Sequence, residues 1–282
     1  MTDHSLTAII TTHNRPEMLQ VAVRSIQAQT VPVPLIVVDD GSNPAVRASD
    51  LPPGTSLVRN ESPRGAGAAR NLGVKEAGTS WVGFLDDDDI WLPEKAEAVL
   101  KAIRRFTTSN VIFHSSAYQP SERSRGMRRL DDPLRRMLHE QPPHISGVSV
   151  RKAVHLDMPF DETIWATEDL DYLIRLAHVR PWVEIRRDLS RHMDPGLETS
   201  AINIESRIEG RLDLMKRYGD LIRSDPAAHS FYYVRLGYQY RRGGHYKEAR
   251  SCFMRAVRLR PTSGLAWRGL IRVLFSSSGS NQ

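Results

Sequence analysis

A single cysteine, Cys252, stands in a chain of 282 residues. It leaves no internal disulfide framework and no cysteine-built zinc cluster, and it suits a reducing compartment. No stretch approaches 18 consecutive apolar residues, so no segment is expected to span a bilayer. The opening "MTDHSLTAIITTHN" lacks a basic region followed by a long apolar core, which predicts no secretory leader. The expected location is the cytoplasm, with peripheral attachment at the inner face of the cytoplasmic membrane left open. Aromatic residues make up 7% and do not interleave with the arginine-rich stretch at 119–144, so nucleic acid is not expected as a partner. "RGAGAARNLG" has Arg70 where a dinucleotide fingerprint needs its third small residue, which excludes a nicotinamide cofactor. His13, His114, His139, His144 and His155 share no metal-ligand spacing.

What is present is an ordinary globular composition, 40% hydrophobic, with 39 Lys and Arg against 33 Asp and Glu and a pI near 9.6. The length suits one large domain with a small appendage, and the positive balance suits anionic partners. From Leu6 to about Ser116, β-branched runs ("LTAIITT", "PLIVVDD", "TSLVRN", "SWVGFLDD", "NVIFHSS") alternate with helical patterns ("PEMLQVAVRSIQAQ", "GAGAARNLGVKEA", "PEKAEAVLKAIRRF"). Strands apolar on both faces, alternating with helices, predict a mainly parallel α/β sheet covered on both sides. Ligands of such sheets bind beyond the carboxyl ends of the strands, so "TTHNR", "DDGSN" and "DDDDI" should converge on one crevice. Asn14 is the expected N-cap of the first helix, with Glu17 three residues on and Pro16 in the first turn. Thr167 is the expected N-cap of "TEDLDYLIRLAHV".

"FLDDDDIWLPEK", residues 84–95, sets four carboxylates in a row. Like charges about 5 Å apart repel by roughly 3 kcal/mol at an effective dielectric near 20, so something must cancel them. Side chains alternate along a strand, so Asp86 and Asp88 should face one way while Asp87 and Asp89 point to solvent or cap the next segment. A pair of hard oxygen ligands at a sheet edge suits Mn²⁺ or Mg²⁺ shared with the phosphates of a substrate.

"AIITTHNRPEML", "VVDDGS", "RGAGAARNLGV", "FLDDDDIWLPEK" and "TEDLDYLIRLA", in this order and spacing, resemble the family 2 inverting glycosyltransferases with the GT-A fold over roughly residues 5–200. The resemblance implies nucleotide contacts at Thr11, His13, Asp40, Arg64 and Asp86, and metal ligation at Asp88. It implies a general base at Asp169. "RHMDPGLETS" resembles the Arg-x-His loop of relatives, whose histidine, here His192, completes the metal shell. The acceptor is expected near "HISGVSV", with Ser146, Gly147 and Glu168 in contact with it. The implied reaction moves a sugar from a nucleotide-diphosphate donor, a UDP-sugar by preference, to a hydroxyl of a glycan or glycolipid in cell-surface polysaccharide synthesis, with inversion. One base suffices for such chemistry when a metal stabilises the leaving group. The alternative is a catalytically inactive nucleotide-binding scaffold that recruits a partner through its tail.

That tail fits the 34-residue tetratricopeptide template at Tyr233, Leu236, Gly237, Tyr240, Ala249, Phe253, Ala256 and Pro261, and Trp267 and Leu270 fall 34 residues after the first two. The expected organisation is a glycosyltransferase domain at 1–200, interrupted by a basic flexible loop at 119–144 with six arginines and four prolines. A linking helix at 201–225, tetratricopeptide-like helices at 226–275 and a disordered tail at 276–282 follow. One helical turn is expected within the loop, from Asp132 to Leu138. The loop is a candidate for peripheral membrane contact. The C-terminal helices are candidates for a homodimer or a protein partner, since one repeat cannot bury its own apolar face.

Overall fold

The structure, a computed structural model, describes residues 5–117, 126–193 and 204–276. Residues 118–125, which include the start of the arginine-rich loop, residues 194–203, which include most of "RHMDPGLETS", and the tail from 277 onward lie outside the described residues. The chain divides into two compact units: residues 1–133 with 143–199, and residues 134–142 with 200–282.

The first unit contains β1 (Leu6–Thr12), α1 (Pro16–Gln27), β2 (Leu35–Asp40), β3 (Ser56–Asn60), α2 (Ala66–Glu76), β4 (Trp81–Asp86), β5 (Asp89–Trp91), α3 (Lys95–Arg105), β6 (Val111–Ala117) and β7 (Met127–Leu130). After α4 (Pro133–His139), which belongs mainly to the second unit, come β8 (Val148–Arg151), α5 (Lys152–Asp157), α6 (Glu168–Leu176) and β9 (Trp182–His192). All nine strands form one sheet in the order β3-β2-β1-β4-β8-β6-β9-β5, with β7 also on β9. The expected parallel pairing holds for β3, β2, β1 and β4. Beyond β4 the sheet is mixed: β8 runs antiparallel to β4 and β6, and β9 is parallel to β6 but antiparallel to β5 and β7.

Alternation along β1 sorts the helices. Leu6, Ala8 and Ile10 lie in the two clusters that take Leu19, Ala22, Val23 and Ile26 of α1 and Val99, Leu100 and Ile103 of α3. On the opposite face Ile9 meets α2 at Gly73, where a Cβ would stand 2.6 Å from Ile9 Cγ2 and 3.0 Å from Val38 Cγ2. Only a residue without a side chain lets α2 lie that close, and this contact sets the depth at which Arg70, one turn earlier, enters the site. Beside it, Phe84, Phe160 and Tyr172 stack against one another, with 3.9 Å between the Phe160 and Tyr172 ring centres, and anchor α6.

Asn14 does not cap α1. It sits at φ +56°, Arg15 takes the cap position, and no side chain bonds the free helix N–H groups. The reason is a competing use: Asn14 N–H donates to Ser42 Oγ at 2.9 Å and Asn14 Oδ1 accepts from Asn43 N–H at 2.7 Å, tying the loop after β1 to the loop after β2. Thr167 occupies the predicted cap of α6, in the left-handed region at φ +70° and without a side-chain cap bond.

The second unit is all helical: α7 (Ile204–Arg223), α8 (Pro226–Arg242), α9 (Tyr246–Leu259) and α10 (Gly264–Ser276). Two differences from the expected organisation arise here. The segment from 201 to 225 is not merely a link, because Ile208 and Ile222 of α7 share a core with Tyr232, Leu236 and Cys252. α7 also departs from helical geometry at Tyr218 (φ −117°, ψ 17°). The basic loop, where described, is built rather than open: β7 extends the sheet and α4 forms where one helical turn was expected. His139 of α4 pairs with Asp225 at 2.8 Å, the residue that caps α8 through the N–H groups of Ala227 and Ala228. Gly237 of α8 faces the Phe253 ring of α9, where a Cβ would lie 3.0 Å from the ring, so the small residue of the repeat template marks a close helix crossing. Among the described residues no helix is long and apolar enough to cross a membrane.

Candidate active site at the strand ends

Sheet register brings the predicted motifs together. Thr11 pairs with Val38 on one side and Asp86 on the other, Thr12 lies beside Asp39, and Asp89 pairs across with His192. The carboxyl ends of β1, β2 and β4 therefore line one edge, as expected for this kind of sheet.

On the β2 side, Asp39 is fully buried and accepts from the N–H groups of Ser42 and Val46 and from Arg59. Burial alone would raise its carboxyl, but those donors hold it below the ordinary range. Asp40 accepts from Asn60 Nδ2 at 2.7 Å, Arg64 N–H at 3.0 Å and Gly65 N–H at 2.8 Å, so its carboxylate fastens the start of α2 to the end of β2. His13 Nδ1–H donates to the Asp40 carbonyl at 2.7 Å, and its Nε2 accepts from Asn14. The Arg64 guanidinium turns to Glu162.

The acidic run makes a turn instead of continuing as a strand: β4 ends at Asp86 and β5 begins at Asp89. The expectation that Asp87 and Asp89 point to solvent fails for that reason. Both are buried. Asp87 accepts from Thr12 Oγ1 at 2.7 Å and from Arg15 at 3.0 Å. Asp89 meets His192 Nδ1 at 2.8 Å and His144 Nδ1 at 3.1 Å, the second contact lacking hydrogen-bond alignment. Asp86 accepts from Arg70 at 2.6 Å, and its N–H donates to Ser146 Oγ at 3.1 Å. Among the described residues the Asp88 side chain, 35% exposed, has only a share of Arg15, at 3.2 Å.

The charges are thus neutralised unevenly. Burial alone would raise the Asp89 carboxyl, yet the flanking histidines hold it well below the usual carboxylate range. Burial, followed by the repulsion of Asp86, Asp87 and Asp89, pushes Asp88 up to about 6. Oxygen atoms of Asp86, Asp88 and Asp89 lie within 4.8 Å of one another, and so do ligand atoms of Asp89, His144 and His192. A carboxylate starved of positive charge among hard oxygen and imidazole donors fits a divalent cation. Asp89 belongs to both groups, whereas His192 shares none with Asp88.

The residues expected on the acceptor side are buried. Ser146 and Gly147 are buried in a short 3-10 turn, Ile145–Gly147, before β8. Ser146 supports the Asp86 peptide, and its carbonyl accepts from the buried Lys95, whose ammonium also stands 3.7 Å above the Trp91 ring. A side chain on Gly147 would sit 2.6 Å from the His114 carbonyl. Glu168 is buried and bonded to Arg70 at 2.9 Å, so its carboxylate is engaged inside the protein rather than offered to an acceptor. Asp169, one residue on, remains partly exposed at the start of α6, with Oδ1 accepting from Leu170 N–H at 2.7 Å.

Two residues that sequence reasoning passed over tie the site together. Arg70 bridges Asp86 and Glu168; burial alone would lower it, but the two carboxylates keep it firmly charged. Its signal was a lone arginine within the small-residue face of "GAGAARNLG", where a buried cation needs buried anions. His144 was set aside for lack of metal spacing. Its Nδ1 reaches Asp89 from a distant part of the chain, a proximity that no spacing encodes.

Burial opposes protonation of His144, but Asp89, Asp86 and Asp169 push it up to about 9 from an ordinary 6.5. In metal-free protein this protonation should stabilise the fold fully below pH 6.5, and the contribution should fade as pH rises through about 9. A ring-proton titration by NMR should show the His144 resonance moving above pH 7.5, and one that moves at 6.5 would refute the pairing.

Residues 7–162 match the model of the family described as Glycosyl transferase family 2. The chain is 27% identical over 184 residues to an uncharacterized glycosyltransferase of Haemophilus influenzae, covering 61% of each chain. It is 30% identical over 123 residues to the Escherichia coli UDP-Glc:alpha-D-GlcNAc-diphosphoundecaprenol beta-1,3-glucosyltransferase WfgD, covering 42% of this chain and 47% of that one. The chain therefore spans between about half and two thirds of the length of these relatives. Among solved structures, residues 1–349 of Staphylococcus aureus TarS in complex with UDP-GlcNAc match with a TM-score of 0.60 at 18% identity, over 96% of this chain and 80% of that one, a likeness of fold. With its strand-end acidic turn, its mixed GT-A sheet and a family match over more than half its length, the chain belongs to glycosyl transferase family 2.

Proposed function

We propose that the protein is a metal-dependent, inverting glycosyltransferase that takes a sugar from a uridine-diphosphate donor to a hydroxyl of a glycan or glycolipid in cell-surface polysaccharide synthesis, at the cytoplasmic face of the membrane. The observation that carries this reading is the under-neutralised Asp88 beside Asp86 and Asp89, with Asp169 close enough to act on the His144 that stands against Asp89. The donor class draws support from WfgD, whose name specifies UDP-Glc, and from the UDP-GlcNAc complex of TarS. The acceptor class draws support from WfgD and from the succinoglycan biosynthesis protein ExoO of Rhizobium meliloti, 32% identical over 100 residues, 34% of this chain and 29% of that one.

In this reading Thr11, His13, Asp40 and Arg64 frame the nucleoside pocket, with the Asp40 carboxylate fixing the Arg64–Gly65 peptide as its wall. Asp86 lies toward the ribose. Asp88 and Asp89, with His192 and His144 behind, would hold Mn²⁺ or Mg²⁺, which supplies charge neutralisation to the departing diphosphate. Asp169 takes the proton of the acceptor hydroxyl as its oxygen attacks the anomeric carbon from the face opposite the leaving group. Its partial exposure leaves it available, so it works by placement. Arg70 and Glu168 act through others: Arg70 fixes Asp86, and Glu168 fixes Arg70 and the first turn of α6.

Calorimetric titration with UDP tests the metal. Affinity should rise at least about tenfold with Mn²⁺, which corresponds to about 1.4 kcal/mol, and Asp88→Asn should erase the increment while leaving metal-free affinity unchanged. Equal affinity with and without metal would defeat the reading.

A further inference from the structure

The last described helix has two different apolar faces. Ala266, Gly269 and Val273 of α10 are directed inward; a Cβ on Gly269 would lie 2.1 Å from the Phe253 ring, and Val273 shares a cluster with Ala249 and Phe253. The other face carries Trp267, Ile271 and Phe275 at four-residue spacing, 46%, 50% and 77% exposed, with Leu274 beside them. Trp267 is fixed in this outward pose, its indole N–H donating to the Pro261 carbonyl at 2.8 Å. Arg268 and Arg272 each follow one position after a member of the stripe, which places both arginines along one edge of it.

Charge identifies the occupant. α10 contains no Asp or Glu, and residues 246–276 hold seven Lys and Arg against one acid, Glu248. This short stretch equals the entire +6 of the chain. A second copy docking on the same face would set basic against basic. A nucleic acid would match the charge but offer nothing to a stripe of Trp, Ile, Leu and Phe. An anionic lipid surface satisfies both halves: headgroups meet the arginines while the stripe enters the acyl boundary, where Trp is favoured. We propose that α10 is an interfacial helix that seats the second unit on an anionic membrane surface through Trp267, Ile271 and Phe275, with Arg268 and Arg272 at the headgroups. This inference stands on the tail alone and does not rest on the proposed reaction.

Co-sedimentation of the full chain with vesicles of phosphatidylcholine, with and without phosphatidylglycerol, tests it. The protein should partition onto the anionic vesicles, and less so in high salt. Arg268→Gln with Arg272→Gln should weaken the partition by about fivefold per arginine removed. Ile271→Asp with Phe275→Asp should abolish it; both side chains are exposed, and circular dichroism should show an unchanged melting curve. Absence of partition onto anionic vesicles would overturn the proposal. So would partition unaffected by the Ile271/Phe275 pair, or a dimer in light scattering that this pair dissolves.

Discussion

Replacing Asp169 by Asn is expected to lower sugar transfer by about 10²–10⁴-fold, the usual worth of a positioned general base, while UDP binding in the presence of Mn²⁺ stays within about twofold of the unaltered protein. The expectation follows from the division of labour between neighbouring carboxylates. Glu168 is buried and committed to Arg70, whereas Asp169 stays partly exposed and close enough to His144 to raise that imidazole. Asn preserves the size of the side chain and an acceptor for the Leu170 N–H, so the start of α6 should survive. What disappears is a carboxylate basic enough to take a proton. Turnover of a glycosyl acceptor by Asp169→Asn at an undiminished rate would remove Asp169 from the mechanism. Lost UDP binding would show instead that its role is structural.

The second large effect is on the fold. Arg70→Met is expected to cost about 3–5 kcal/mol of stability, because it leaves two carboxylates, Asp86 and Glu168, facing each other without the cation that both were folded around. The penalty comes from the stranded anions more than from the lost attraction. Burial already pushes the Glu168 carboxyl up even with Arg70 beside it. Adding Glu168→Gln to Arg70→Met should therefore recover part of the loss, a sign that a simple cavity would not give. Arg70→Lys should recover little, since one ammonium cannot fork between two carboxylates as a guanidinium does. Urea denaturation of the four proteins measures this. An Arg70→Met chain as stable as the original would dissolve the bridge.

Much of the fold was legible in the chain. The five early strands and three helices lie close to where β-branched runs and helical spacing put them, because segments buried on both faces must be continuously apolar and amphipathic helices must repeat at the helical period. Strand-end motifs converge because parallel strands align their carboxyl ends. Asp86 and Asp88 remain close, as alternation implied, yet alternation failed for Asp87 and Asp89. The chain reverses between β4 and β5, and a turn obeys no two-residue period. Asn14 looked like a cap because its local neighbours fit one; its use was decided by Asn43, distant in sequence.

Local order in the chain thus specified which carboxylates exist, which strand delivers them, where α6 begins, and the repeat pattern of the tail. Packing alone decided how those charges are shared: Arg70 between Asp86 and Glu168, Arg15 between Asp87 and Asp88, and two histidines on Asp89. Periodicity and propensity act over a few neighbouring residues and survive in a linear code. Neutralisation of a buried charge depends on whatever partner the folded chain brings within a few ångströms, and contacts of that range join residues up to 103 positions apart.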